Sequence, residues 1–344
     1  MERASGVIRN AKTLFRLVML YATHGGSCQQ TALGMALTEN IRISKVGVFK
    51  RIAKSGEWLR QLCDELLKTQ GYVMEKPAFL GDRDVVLYDA SDEAAKGSKR
   101  TDYRLHFGFD PFGCRCREWE ITGAQEGEKL TRYAVKSGEI VIADRIYCTI
   151  TGIEHVLSGD GAFVLRYKSK GFKLYTTSGQ PIELLPLLRH LGTHESTDIH
   201  TFYRLPESGK LQPIRIVAMK KDPQAIEESQ RKLARKVSRK QEKPVYADTV
   251  ELNDYVVLAT NLDYTNEQIL ELYRTRWQIE QVFYRLKSLF GYGNTPNKRD
   301  DTCKTWFYAK LLLAVLCETI RSRVDFPPEM EPYLAEFISA KFLG

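Results

Sequence analysis

Residues 84–91 read Asp-Val-Val-Leu-Tyr-Asp-Ala-Ser, and at Val85 the hydrophobic period changes from helical to extended. Upstream, Lys12–Thr23 is apolar-periodic, and Gly25, Gly26 and Ser27 punctuate it. Thr31–Thr38, Ser44–Lys54 and Glu57–Thr69 follow at helical spacing with no strand pattern between them. This front end reads as a compact all-helical domain with helix-turn-helix-like spacing. Downstream, Val85–Leu87, Tyr103–Phe109, Arg117–Ile121, Ile140–Ala143 and Phe163–Tyr167 are short β-type runs. A short helix is expected at Glu128–Val135 and a stronger one at Gly152–Ser158. Three strands before the first good helix predict an antiparallel meander joined to parallel crossovers, in the α/β class.

Further along, Phe172–Thr176, Ile199–Tyr203 and Ile214–Met219 are strand-like within a polar stretch that reads as an insertion. A buried strand resumes at Tyr255–Ala259. Thr265 opens a helix with Glu267 in its first turn, and the periodicity runs through about Leu289 before Gly291, Gly293 and Pro296 end it. Thr305–Arg321 is a strongly apolar final helix, and Pro327 and Pro328 mark the exit. The expected organisation is a helical DNA-binding domain at 1–75, the first part of a core at 76–168, a β-rich insertion with a basic segment at 169–254, the second part of the core at 255–322, and a C-terminal segment at 323–344.

The 344 residues are 43% hydrophobic and 27% charged, which excludes disorder and fibrous architectures. No apolar run approaches the roughly 18 residues of a membrane span, and the N-terminus has no secretory pattern, so a soluble, unexported protein is expected. Seven cysteines at scattered spacings, without a C-x2-C pair, argue against a disulfide framework or zinc ribbon. Cys114 and Cys116 read as alternate residues of an extended segment, and His190, His194 and His200 are too loosely spaced to suggest a metal site.

The net charge of +8 is moderate, but between Lys220 and Lys243 nine Lys or Arg face four acids. That clustering is either a solvated helix face or an electrostatic footprint for nucleic acid. Two acids end apolar β runs: Asp89 after Val85–Tyr88 and Asp144 after Ile140–Ala143. Carboxylates at the C-terminal lip of central strands face the crevice where open α/β sheets bind ligands, although either one alone also suits a strand-end turn. On a continuous helix over Ile269–Leu289, Tyr273, Arg276, Glu280 and Lys287 lie within about 60° of one another, a polar stripe beside the apolar one. Arg276 and Glu280 also suit an ordinary i,i+4 pair. Trp277 suits either packing on a core helix or stacking on a displaced base. Asp84, Asp92, Asp102 and Asp110 compete with Asp89 on spacing alone, and Asp92 is the fallback.

The spacing Y-x2-R-x3-E-x6-K, realised as Tyr273, Arg276, Glu280 and Lys287 with Trp277 between, resembles the signature of the insertion sequence 4 family of bacterial DDE transposases. The resemblance extends to Leu87–Ser91, to Thr101–Asp110, to Ala143–Tyr147 with Asp144, and to Ser55–Leu62 in the helical front end. It covers most of the chain, and residues 170–213 are the least family-like. It implies a ribonuclease H-like catalytic core with a β-rich insertion behind an all-helical N-terminal domain. It also implies that Asp89, Asp144 and Glu280 form the DDE triad, and that Tyr273, Arg276 and Lys287 contact phosphates near the transposon end.

Three converging carboxylates repel unless cations share the site, and hard oxygen donors select Mg²⁺, with Mn²⁺ as a substitute. Two such ions suit in-line phosphodiester displacement. The resemblance therefore implies a metal-dependent enzyme that binds terminal inverted repeats, cleaves them and transfers strands. It would act on double-stranded DNA as a homodimer in the cytoplasm, on the bacterial nucleoid. The alternatives are a catalytically inactive, transposase-derived DNA-binding protein and a stand-alone metal-dependent nuclease.

Overall fold

A computed structural model describes residues 7–69, 74–240, 247–293 and 295–321. In chain order the elements are α1 (Ala11–Thr23), α2 (Cys28–Glu39), α3 (Lys45–Lys54), α4 (Gly56–Thr69), β1 (Val85–Glu93), β2 (Tyr103–Asp110), β3 (Arg115–Gly123) and β4 (Ile140–Ala143). There follow α5 (Ile150–Ser158), β5 (Ala162–Arg166), β6 (Leu174–Tyr175), β7 (Pro181–Ile182), α6 (Leu184–Leu188), β8 (Ser196–Arg204), β9 (Leu211–Lys220), α7 (Pro223–Lys240) and α8 (Ala247–Leu252). The last are β10 (Tyr255–Thr260), α9 (Asn266–Arg274), α10 (Trp277–Ser288) and α11 (Asp300–Arg321). The chain is thus α/β, with a helical N-terminal region. Its residues collect into two compact units, one of 1–75, 90–127 and 278–344 and the other of 76–89 and 128–277. The C-terminal segment 323–344 lies outside the described residues.

The second unit is built on a mixed sheet in the order β1-β4-β5-β10-β9-β8-β6-β7. β1, β4 and β5 run parallel, with Tyr88 opposite Ala143 and Ala143 opposite Leu165. Val85–Tyr88, Ile140–Ala143 and Ala162–Leu165 are buried on both faces, as parallel strands require, which is why they read as continuous apolar runs and not as alternation. β10 is antiparallel to both β5 and β9, and β9 pairs with β8, so the strands read as an insertion hydrogen-bond into the same sheet. Tyr88 stacks on Tyr133 with ring centroids 3.8 Å apart, within a core that also takes Val141, Ile153, Phe163 and Ile216. The helix expected at Glu128–Val135 is only a 3-10 turn, Leu130–Arg132.

In the first unit α11 is the central element. Trp306 is buried edge-on to Tyr21 of α1 at 5.8 Å, Phe307 meets Tyr103 of β2 at 5.2 Å, and Tyr308 meets Trp119 of β3 at 5.7 Å. Residues 305–315 of this helix are buried on every face, as its long apolar run demands, while Asp300 at its start is exposed. Each of the first three helices is capped by a side chain the sequence supplies: Asn10, Ser27 and Ser44 accept from Thr13, Gln30 and Gly47 N–H. Gly26 has φ +78°, and a Cβ there would lie 2.4 Å from Pro296, so only glycine fits this turn.

The helix expected to be continuous over Ile269–Leu289 is broken. Thr275 and Arg276 form a turn in which the Thr275 and Arg276 N–H groups bond the carbonyls three residues back, Leu272 and Tyr273. The Thr275 hydroxyl donates to Leu272 O at 2.7 Å. A β-branched residue that bonds back to the preceding turn tightens the end of α9, and no glycine or proline marks the place.

Candidate active site

Parallel pairing of β1 with β4 puts Tyr88 opposite Ala143, so the next residues, Asp89 and Asp144, sit at the same level. Asp144 follows the end of β4, whereas β1 runs on to Glu93, so Asp89 lies within its strand and not at the strand end expected from the apolar run. Neighbouring strands are about 4.8 Å apart, which gives two carboxylates a shared rim. The same register places Arg166 beside Asp144 at the end of β5, because Ala143 pairs with Leu165. Arg166 donates to Tyr255 O at 2.9 Å. Burial pulls its guanidinium below the ordinary value, while Tyr273 and Asp144 oppose that fall and Arg145 and Arg276 add to it. The sequence reading missed Arg166. The signal lies in its position, since it follows the apolar run Ala162–Leu165 as the two aspartates follow theirs.

α9 brings two more predicted residues to this rim. Thr265 caps it in a full capping box with Gln268. Arg215 on β9 fixes the approach, pairing with Asp198 at 3.0 Å and donating to Leu262 O at 3.2 Å and to Asn266 Oδ1 at 2.7 Å. Arg276, in the turn after α9, reaches Asp89 Oδ2 at 3.6 Å and sits 5.7 Å from the Tyr273 ring centre. Both partners of that ion pair are mostly buried. Tyr273 is pushed up to about 12, by burial first, with the charge of Arg276 opposing and that of Asp144 adding. It therefore stays a hydrogen-bond donor at neutral pH. Lys221, past the end of β9, is pulled down to about 8 by burial and by Arg166 and Arg145.

The break changes the predicted stripe. Tyr273 lies in the last turn of α9 and Arg276 in the turn after it, and Glu280 and Lys287 lie on α10, within the first unit. Glu280 is exposed, because Ile279, Phe283 and Leu286 take the buried face of α10. Trp277 does not pack in the core, since the residue is 58% exposed. Lys287 donates to Asp92 O at 3.2 Å and pairs with Glu93 Oε1 at 3.2 Å. The fallback acid Asp92 is engaged otherwise, its carboxylate held by Arg104 Nε at 2.7 Å.

Among the described residues no three His, Cys, Asp or Glu side chains gather closely enough to hold a metal ion. The donors nonetheless suit a hard divalent cation: Asp89 and Asp144 offer oxygen only, at matched register on adjacent strands. The seven cysteines are free thiols, and Cys114 sits with φ +45° in the turn before β3, so it does not alternate with Cys116 along the strand. The basic segment is a helix, α7, through Lys240, while Lys243 lies outside the described residues. No helix among the described residues is long and apolar enough to cross a membrane.

Residues 80–316 match the family model described as the transposase DDE domain. The chain is 30% identical over 331 residues, 93% of its length, to the InsL transposase for insertion sequence element IS186A of Escherichia coli (strain K12), covering 88% of that protein. It is similar to the same extent, 30% over 332 residues, to the transposase for insertion sequence element IS421 of Escherichia coli.

Proposed function

The chain belongs to the insertion sequence 4 family of DDE transposases, and from that premise we propose that it cuts and joins DNA at the terminal inverted repeats of a mobile element. The observation that carries this reading is the level placement of Asp89 and Asp144 on β1 and β4, with Arg276 beside Asp89.

Asp89, Asp144 and Glu280 are the acids assigned to the site, on a ribonuclease H-like core, and they would be the residues to hold divalent cations, two Mg²⁺ ions with Mn²⁺ as a substitute. Divalent metal dependence is general to the family. When bound, such ions supply Lewis-acid polarisation of the phosphoryl oxygens and a lower pKa for attacking water. Water displaces the bridging oxygen in line and frees a 3′-hydroxyl at the element's end. That hydroxyl then displaces the corresponding oxygen of a target phosphodiester.

The chain's own residues orient the DNA. Arg276 forks onto phosphate oxygens, Tyr273 donates from its protonated phenol, Lys287 adds a point charge, and Trp277 stacks on an unpaired base. Arg166 extends the cationic rim beside Asp144. The helical front end reads the terminal repeat, and α7 adds salt-sensitive affinity for the DNA backbone. Bringing two ends together calls for a homodimer on DNA, in the cytoplasm at the nucleoid.

The test is a strand-transfer assay on labelled terminal-repeat duplex with Mg²⁺. Wild type is expected to give cleaved and joined products, and Glu280→Gln neither, with DNA binding retained. Wild-type cleavage by Glu280→Gln removes Glu280 from the site. Cleavage without joining indicates a nuclease, and a shifted band alone indicates an inactive DNA-binding protein.

A further inference from the structure

Beyond Asp92 on β1, the strand ends in a buried acid that the DDE motif does not use. Glu93 is 5% exposed and does not stand alone. Its Oε1 accepts from the Ser91 hydroxyl at 2.8 Å and pairs with Lys287 Nζ at 3.2 Å. Its Oε2 lies 2.3 Å from where a Cβ on residue 293 would stand, so the carboxylate packs against the bare backbone of Gly293. The charge of Glu93, after burial, raises the neighbouring Tyr292 phenol. The carboxylate is thus fixed on three sides, and its partner Lys287 is half-exposed.

Lysine has three donors on a flexible stem rich in rotamer freedom. Glu93 Oε1 and the Asp92 carbonyl engage two of them. This arrangement holds the ammonium at one place and leaves a donor direction for a phosphate oxygen. An unanchored lysine would have to give up that rotamer freedom when DNA binds.

We propose that Glu93 is a positioning residue: it preorganises Lys287 for the DNA phosphate and acts on DNA only through that lysine. The inference rests on the phosphate-contact reading of Lys287 given above. A buried carboxylate near DNA that did nothing else would repel the phosphates, so its neutralisation would tighten binding. Positioning predicts the opposite sign.

The experiment measures affinity of wild type, Glu93→Gln, Lys287→Met and the double variant for a terminal-repeat duplex in chelator, across a salt series. Lys287→Met is expected to flatten the slope of log K against log[salt] by about 0.9, one phosphate. Glu93→Gln is expected to weaken binding roughly three- to tenfold in the presence of Lys287 and to add no loss in the Lys287→Met background. Tighter or unchanged binding by Glu93→Gln, or equal losses in both backgrounds, overturns the assignment. If Lys287→Met itself leaves affinity and slope at wild type, the phosphate reading of Lys287 falls and Glu93 falls with it. A flattened slope without the Glu93 effect sinks Glu93 alone. Should Glu93→Gln fail to fold, Ser91→Ala removes one hydrogen bond from the same carboxylate and must weaken binding in the same Lys287-dependent way; binding at the wild-type level in that variant refutes the proposal.

Discussion

Replacing Arg276 by alanine should separate two functions of one guanidinium. It sits 3.6 Å from Asp89 Oδ2, with 18% and 19% of the two side chains exposed. At that distance the attraction is about 1 kcal/mol in water and about 5 kcal/mol at an effective dielectric of 20. With both groups mostly but not fully buried, an intermediate value of about 2 kcal/mol is the working figure. The same charge opposes any cation approaching Asp89, so Arg276→Ala should let Mn²⁺ bind in the absence of DNA with about thirtyfold higher affinity. DNA binding should move the other way. Loss of a charge-assisted contact of about 1.5–3 kcal/mol weakens terminal-repeat binding by roughly one to two orders of magnitude. The salt slope should flatten by about 0.9. Arg276→Lys, which keeps charge but not the fork, should restore the slope and only part of the affinity. Calorimetric titration with Mn²⁺ and duplex binding at four salt concentrations read both effects. An unchanged salt slope refutes the phosphate clamp, and unchanged Mn²⁺ affinity refutes the electrostatic competition at Asp89.

Three further outcomes are expected. Lys310, buried in α11 and 4.5 Å from the Trp306 ring centre, is pulled down from 10.5 to about 8 by burial. The unfolded chain binds the proton more tightly, so the cost is full below pH 8 and is relieved as pH rises from 8 to 10.5. Lys310→Met should therefore stabilise the fold by about 2–3 kcal/mol at pH 7, and denaturant melts should converge with wild type near pH 10.5; a constant gap contradicts the linkage. Thr265→Ala removes the capping box of α9 and should cost about 1 kcal/mol, seen as faster amide exchange at Gln268; wild-type exchange there means the cap is dispensable. Trp277→Ala should leave stability within about 0.5 kcal/mol because the residue is 58% exposed, yet abolish tryptophan quenching on addition of terminal-repeat DNA; quenching that persists assigns the signal to another tryptophan.

Local chemistry made much of the molecule legible from its residues. The caps Asn10, Ser27, Ser44 and Thr265, the buried parallel runs ending in Asp89 and Asp144, and the apolar α11 follow from hydrogen-bond satisfaction and hydrophobic period, which act over a few residues. Family identity was equally readable, because the Tyr273, Arg276, Glu280 and Lys287 spacing is a linear pattern. The break at Thr275 was not legible, since a threonine hydroxyl bonding to Leu272 is compatible with both continuing and ending a helix.

What tertiary structure alone decided is which side chains meet. Strand register, a long-range pairing, set Asp89, Asp144 and Arg166 at one level although 22 residues or more separate each from the next. Burial of Ile279, Phe283 and Leu286 turned Glu280 outward, and the space over Gly293 admitted the Glu93 carboxylate that holds Lys287. Hydrophobic period specifies which face of an element is buried. It carries no information about which distant element will cover that face, and charged pairs form only after the cover is in place.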